Sequence, residues 1–227
     1  MVETRQQIED ALRASFIFPV LGPSERERFI ASARRQSWRA GEPIFFMGDS
    51  GGSMMLVQAG EVRISYPAPD GRAILLSELK PGEVFGEIAL LDGGERSADA
   101  TASTNCTLLF FERGPFMGLL ENNWPLAEAV LKLVCSRLRR SDQRMADLAF
   151  FDLHGRLARA LLVRARPAPD GGPLRVSDTQ GALAALVGGS RENVSSYLSK
   201  WQQEGLVTIA DGCISLLDPE SLARIIG

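Results

Sequence analysis

The sequence predicts an α+β protein in which a β-roll of jelly-roll type, a long helix and a winged helix-turn-helix follow one another along the chain. Three observations predict it. Between about Arg39 and Glu112, short apolar runs are broken every eight to twelve residues or so by Gly48-Asp49, Gly51-Gly52, Gly60-Glu61, Pro69-Asp70-Gly71, Pro81-Gly82 and Asp92-Gly93-Gly94, the cadence of a closed all-β unit. From Trp124 to Phe150 there is no glycine and one proline, Pro125, at a helix start where proline is tolerated. Between Leu206 and Leu217 the pair Asp211-Gly212 separates two apolar runs, which signals a hairpin.

A chain of 227 residues has room for two small domains. The boundaries expected are 1–123 for the β-roll, 124–150 for the long helix and 151–227 for the C-terminal part. A helix over about Ser24–Ser37, with Ser24 as N-cap, is expected before the β-region. On the long helix Leu131, Leu138 and Met145 are seven apart, and Ala127, Val134, Ser141 and Leu148 hold the intermediate positions. That is a heptad seam along roughly 40 Å of helix, longer than packing within one subunit requires, so a homodimer is expected. Asp152–Arg166 reads as another amphipathic helix, followed by a turn-rich stretch from Pro167 to Pro173, two short helices at Thr179–Val187 and Ser190–Glu204, and a two-stranded wing.

No window approaches the ~18 consecutive apolar residues of a membrane span. The first fifteen residues carry charges where a signal peptide is apolar, and a cytoplasmic protein without membrane attachment is expected. Cys106, Cys135 and Cys213 are scattered without metal-ligand spacing, and His154 is the sole histidine. No metal site, covalently bound cofactor or catalytic residue is therefore expected. Gly48-Asp49-Ser50-Gly51-Gly52 reproduces the nucleophile motif of chymotrypsin-like proteases, but the one histidine follows Ser50, the reverse of that fold's order; a turn explains the same residues. Charge divides the chain: residues 1–133 hold 13 Lys and Arg against 18 Asp and Glu (−5), residues 134–227 hold 12 against 10 (+2). A nucleic-acid partner would bind the C-terminal part.

Two constellations carry chemistry. In Gly82-Glu-Val-Phe-Gly-Glu-Ile-Ala-Leu-Leu91 followed by Arg96-Ser-Ala-Asp-Ala-Thr101, Gly86 admits close backbone approach to an anion. Glu87 suits a ribose hydroxyl, Arg96 offers a fork of donors to a phosphate, and Ser97 adds a hydroxyl. In Thr179-Gln-Gly-Ala-Leu-Ala-Ala-Leu-Val-Gly-Gly-Ser-Arg-Glu-Asn-Val194, a short capped helix meets a glycine turn and a second helix capped by Ser190, the construction of a helix-turn-helix. The first turn of a recognition helix faces the major groove. Arg191 can take guanine O6 and N7 there, and Glu192 a cytosine amino group, with Ser195, Ser196 and Lys200 on nearby faces.

Phe85-Gly-Glu-Ile-Ala-Leu90 with Arg96-Ser-Ala98 resembles the phosphate-binding cassette of cyclic-nucleotide-binding domains, specifically those of the cyclic-AMP receptor protein/fumarate-nitrate-reduction regulator (CRP/FNR) family of bacterial transcription regulators. The resemblance extends from about Phe16 to the end of the chain. It implies a cyclic-nucleotide effector, cyclic AMP or cyclic GMP, held by Gly86, Glu87, Ile88, Arg96, Ser97 and Ala98. It implies further that Ile64 and Leu76 clamp base and ribose, and that Arg137, Ser141 and Asp142 complete the pocket from the long helix. Asp142 departs from the family's serine; a carboxylate only accepts, which leaves base identity open. The resemblance also implies double-stranded DNA with a roughly palindromic site, contacted through Thr179, Gln180, Ser190, Arg191, Glu192, Ser195, Ser196 and Lys200. Contact of the Pro167–Pro173 turn with RNA polymerase rests on the resemblance alone. Ser196 stands where relatives reading a TGTGA-like half-site carry a second arginine, so an altered DNA preference is expected.

Overall fold

The computed structural model describes residues 2–68, 73–168, 171–210 and 212–226. It divides into two compact units, Met1–Pro67 with Leu76–Arg139, and Ala68–Leu75 with Arg140–Gly227. The turn expected at Pro69-Asp70-Gly71, the middle of the Pro167–Pro173 stretch and Asp211 lie outside the described residues.

The first unit opens with α1 (Val2–Ala14), a 3-10 turn (Phe18–Val20) and α2 (Pro23–Ser32). The helix expected at Ser24–Ser37 is corrected at both ends. Gly22, not Ser24, is its N-cap, where the Glu25 carboxylate accepts from the Gly22 amide at 2.8 Å and Pro23 begins the helix. The chain turns extended at Ala33, and 34–38 is drawn into strand β1 (Arg34–Trp38), whose residues pair from Arg34 with Phe110 to Trp38 with Cys106. Strand pairing outweighs the weak helical preference of a short segment. The helix α1 was not anticipated; it buries Ile8, Ala11 and Leu12 in the core of this unit.

The roll continues with β2 (Pro43–Phe45), β3 (Ser53–Ala59), β4 (Val62–Pro67), β5 (Ala73–Leu79), β6 (Val84–Phe85), α3 (Glu87–Asp92), β7 (Asp99–Ala102) and β8 (Cys106–Glu112). Among the described residues one sheet has the order β1-β8-β3-β6 and another β2-β7-β4-β5. Met55, Val57, Val62, Ala100, Ala102 and Leu108 fill the roll. On its other side α4 (Arg113–Asn122) and the start of α5 (Trp124–Phe150) join α1 and α2 around Phe18, Phe29, Phe111 and Phe116. Phe29 and Phe111 stack there with centroids 4.1 Å apart. The α5 helix runs unbroken over 27 residues.

The second unit holds α6 (Leu153–Arg164), β9 (Arg175–Val176), α7 (Gln180–Val187), α8 (Arg191–Gln203), β10 (Val207–Ala210), β11 (Cys213–Leu216) and α9 (Pro219–Ile225). The expected helix to Arg166 stops at Arg164, because Arg166 exchanges backbone hydrogen bonds with Arg175. The wing expected with two strands has a third, in the order β10-β11-β9; β9 is two residues long, too short to carry a period in sequence. Leu157, Leu161, Leu183, Val194, Leu198, Trp201 and Leu222 form a core of their own.

Candidate functional sites

The cassette is built around two buried charges. Arg96 and Glu87 are 6% and 2% exposed. Gly86, at the turn from β6 into α3, has φ +75°, and a Cβ there would lie 2.5 Å from Arg96 Nη1. Only glycine lets the guanidinium lie against this backbone. Arg96 Nη1 donates to the carbonyls of Ser53 (2.7 Å) and Gly86 (2.9 Å), Nη2 to Ser53 Oγ (3.2 Å). The guanidinium also lies 4.5 Å from the centre of the Phe45 ring.

Glu87 Oε1 accepts from Arg137 Nη1 at 2.6 Å, and Arg137 Nη2 donates to the carbonyl of Val84. Two buried polar atoms, Glu87 Oε2 and Arg96 Nε, have no hydrogen-bond partner. Burial pushes the Glu87 carboxyl above the ordinary carboxylate range, with Arg137 pulling it back in part. Burial likewise draws the Arg96 guanidinium below its usual value, against the pull of Asp49 and then Glu87. A phosphate with a ribose hydroxyl supplies what these atoms need, an anion for Arg96 and a donor for Glu87.

The structure thus brings together Gly86, Glu87, Arg96 and Arg137. Ser97 and Ile88 are exposed, Ala98 is buried, and Ile64 and Leu76 are half-buried, with Ile64 paired to Ala100 across β4 and β7. Ser141 and Asp142 fall in the second unit, one turn beyond Arg137 on α5, and both are exposed.

In the second unit, Asp152 caps α6 by accepting from Gly155 N at 2.8 Å. Thr179 Oγ1 caps α7 through Ala182 N at 3.1 Å, and Ser190 Oγ caps α8 through Asn193 N at 3.2 Å. Between the two helices Gly188 takes φ +66°, and a Cβ on Gly189 would lie 2.7 Å from Leu153 Cδ1. Arg156 of α6 ties the end of α7 to the segment before α6, donating to the carbonyls of Val187 and Phe151. Arg191, Glu192, Ser196 and Lys200 are exposed on α8, Ser195 is half-buried, and Val194, Leu198 and Trp201 pin the opposite face. Its own amide and the Ser190 hydroxyl hold the Glu192 carboxyl below the usual range, so it stands ionised as an acceptor. Gln180 is half-buried at the first position of α7.

Comparison with known proteins covers nearly the whole chain. The cyclic nucleotide-binding domain family matches residues 35–123 and the Crp-like helix-turn-helix domain family residues 155–225. A CRP-like cAMP-activated global transcriptional regulator of Mycobacterium tuberculosis is 31% identical over 221 residues, 96% of this chain and 99% of the relative. The chain belongs to the CRP/FNR family. Another relative, the cyclic AMP receptor protein of Thermus thermophilus, is 35% identical over 214 residues, 94% of this chain and 98% of its own. Among solved structures, the c-di-GMP-responsive global regulator CLP of Xanthomonas campestris superposes with a TM-score of 0.76 at 26% identity, covering 86% of this chain and 99% of the other.

This CRP/FNR member is therefore a transcription regulator with a cyclic nucleotide-binding domain and a DNA-binding helix-turn-helix domain, not an enzyme. Its Gly48–Gly52 motif has a structural use instead. Gly48 N donates to Arg96 O and Arg96 N to Asp49 O, Ser50 bridges to Glu95, and a Cβ on Gly51 would lie 2.1 Å from that of Ala89. Sequence reading missed Ser53, Phe45 and Asp49 as the setting of Arg96. The glycine-dense turn at 48–52 was their visible signal, since glycines so close together mark tight backbone approach. Among the described residues no group of three or more His, Cys, Asp or Glu could hold a metal ion, and no helix is long and apolar enough to cross a membrane.

Proposed function

We propose that this protein is a cytoplasmic homodimeric regulator whose affinity for a roughly palindromic DNA site is controlled by a 3′,5′-cyclic purine nucleotide, with 1–123 as the ligand part, 124–150 as the dimer helix and 151–227 as the DNA reader. The observation that carries the ligand is the pair of buried, unpartnered atoms, Arg96 Nε and Glu87 Oε2. Arg96 and Ser97 would bind the phosphate, Glu87 with Arg137 the ribose, and Ile64 and Leu76 the base, with Gly86, Ile88 and Ala98 shaping the cassette. The names of the Mycobacterium and Thermus relatives favour cyclic AMP. Asp142 keeps cyclic GMP as a second reading, because a carboxylate can accept from both N1–H and N2–H of guanine.

The dimer is supported by the apolar seam on α5, where Leu131, Leu138 and Met145 are 55%, 60% and 61% exposed. Ser141 of one subunit and Asp142 of the other would then read the base across the seam. DNA would be contacted by Arg191, Glu192, Ser195, Ser196 and Lys200, with Thr179, Gln180 and Ser190 toward the phosphates. The Pro167–Pro173 turn is the candidate contact for RNA polymerase.

Calorimetric titration of nucleotide-stripped protein with cyclic AMP, cyclic GMP and cyclic di-GMP tests the reading. One of the two mononucleotides should bind with micromolar affinity, and Asp142→Ser should change their ratio, lowering any guanine preference. Failure of both at millimolar concentration would overturn the assignment. Leu138→Glu, which sets a charge in the seam, should convert a sedimenting dimer to a monomer.

A further inference from the structure

The one histidine of the chain is built into the seat of the recognition helix. His154, in the first turn of α6, accepts a hydrogen bond at Nε2 from the indole Nε1 of Trp201, 2.9 Å away. Its ring also packs against Tyr197 (4.8 Å between centroids) and Trp201 (5.0 Å). Trp201 is fully buried on α8, the helix whose other face carries Arg191, Glu192, Ser196 and Lys200. An indole N–H can only donate, so the imidazole nitrogen that meets it must be unprotonated. In the imidazolium both nitrogens are donors; the contact then becomes two opposed N–H groups, and the buried indole loses its acceptor.

Among the described residues, His154 Nε2 is the acceptor that the structure gives the Trp201 indole, and the charged and titratable groups nearby are engaged or exposed. On α6 the neighbours are Asp152 and Arg156, whose side chains are committed to Gly155 N and to the carbonyls of Val187 and Phe151. On α8, Tyr197 is in ring contact, Lys200 pairs with Glu204, and Arg191 and Glu192 occupy the far first turn. The α7 helix carries no titratable residue. On α9, whose Ile225 carbonyl would lie 3.7 Å from a Cβ on Gly155, Arg224 donates to Ser221 and Glu220 is exposed.

We infer that His154 is a positioning residue for DNA reading: its neutral imidazole holds α8 through Trp201, and gaining a proton releases that hold, so operator affinity falls on acidification. This rests on the reading of α8 as the recognition helix. The direction is diagnostic. A positive charge gained near DNA would by itself strengthen binding through phosphate attraction, whereas loss of the Trp201 hold weakens it.

The test uses the full chain and the palindromic duplex it selects from random sequence at about pH 8, with saturating cyclic AMP or cyclic GMP, whichever binds. Fluorescence anisotropy at fixed salt, followed from alkaline to acid pH, should show affinity dropping roughly tenfold, the weight of one buried hydrogen bond, as the imidazole gains its proton. The midpoint should match the titration of the single imidazole signal in the NMR spectrum. His154→Gln, which keeps an acceptor that does not titrate, should bind as the parent does at high pH and stay flat. His154→Phe should bind weakly throughout.

A flat parent, a rise on acidification, or a His154→Gln variant with the parent's slope would overturn the inference. If no duplex binds at any pH, the reading of α8 is what fails. The hold is then judged by the Trp201 indole signal, assigned by its loss in Trp201→Phe: movement with the imidazole titration upholds it, and constancy overturns it.

Discussion

The cassette and the helix-turn-helix treat their functional polar groups in opposite ways. Arg96 and Glu87 are buried and each keeps an atom without a partner, so that site holds desolvated charge that a complementary ligand would satisfy. Helix α8 keeps Arg191, Glu192, Ser196 and Lys200 exposed over a closed core of Val194, Leu198 and Trp201, so these polar groups cost the fold little. Substitutions should therefore separate. Replacing the charged residues of the cassette should change ligand binding and remove a stability cost, whereas on α8 replacements on the inner face should change stability and those on the outer face recognition.

The largest effect that would break this contrast is at Trp201. Trp201→Ala should destabilise the C-terminal unit by about 3–5 kcal/mol and abolish DNA binding with it, while cyclic-nucleotide affinity at the cassette is retained. Calorimetric unfolding with parallel nucleotide titration reads both. Next comes Arg96→Ala. Leaving a phosphate in that pocket without its arginine should cost about 2–5 kcal/mol of nucleotide affinity, similarly for either base, with the far-ultraviolet circular dichroism spectrum unchanged.

On the outer face, Arg191→Ala should cost about 1–3 kcal/mol of specific DNA affinity and relax selection at one guanine, with the unfolding midpoint unmoved. The smallest effect sharpens the contrast by sign. Because the folded-state pKa of Glu87 is raised, its contribution to stability is fully present below the unfolded carboxylate pKa and is lost as pH rises through the folded value. Glu87→Gln should therefore stabilise the ligand-free protein at neutral pH, a gain that fades toward acid, while weakening nucleotide binding. Urea unfolding at several pH values measures it.

How much of this was legible in sequence follows from the range of each interaction. The long helix, the caps at Thr179 and Ser190 and the glycine turn between α7 and α8 depend on neighbours within a few residues, and periodicity or residue type announces them. The meeting of Arg96 with Gly86 was legible because the two residues share one short motif. The seat of Arg96 was not, since Ser53 is 43 residues away in sequence and acts largely through a carbonyl that every residue possesses. The helix drawn too long at Ser24–Ser37 failed for a related reason: strand β1 exists because β8 pairs with it, and that partner begins at Cys106. His154 stands out in sequence as the sole histidine, but its contact with Trp201, 47 residues on, leaves no local trace.

The central claim is that nucleotide at the cassette controls DNA affinity at α8, and equilibrium binding measures this most directly. Operator affinity of the parent protein is determined with and without saturating nucleotide, and nucleotide affinity with and without operator. The account predicts that nucleotide tightens operator binding, that operator tightens nucleotide binding by the same factor as linkage requires, and that Arg96→Ala removes both effects while leaving the nucleotide-free operator affinity in place. Operator affinity indifferent to either mononucleotide at millimolar concentration, in protein whose binding still depends on Arg191, would contradict it.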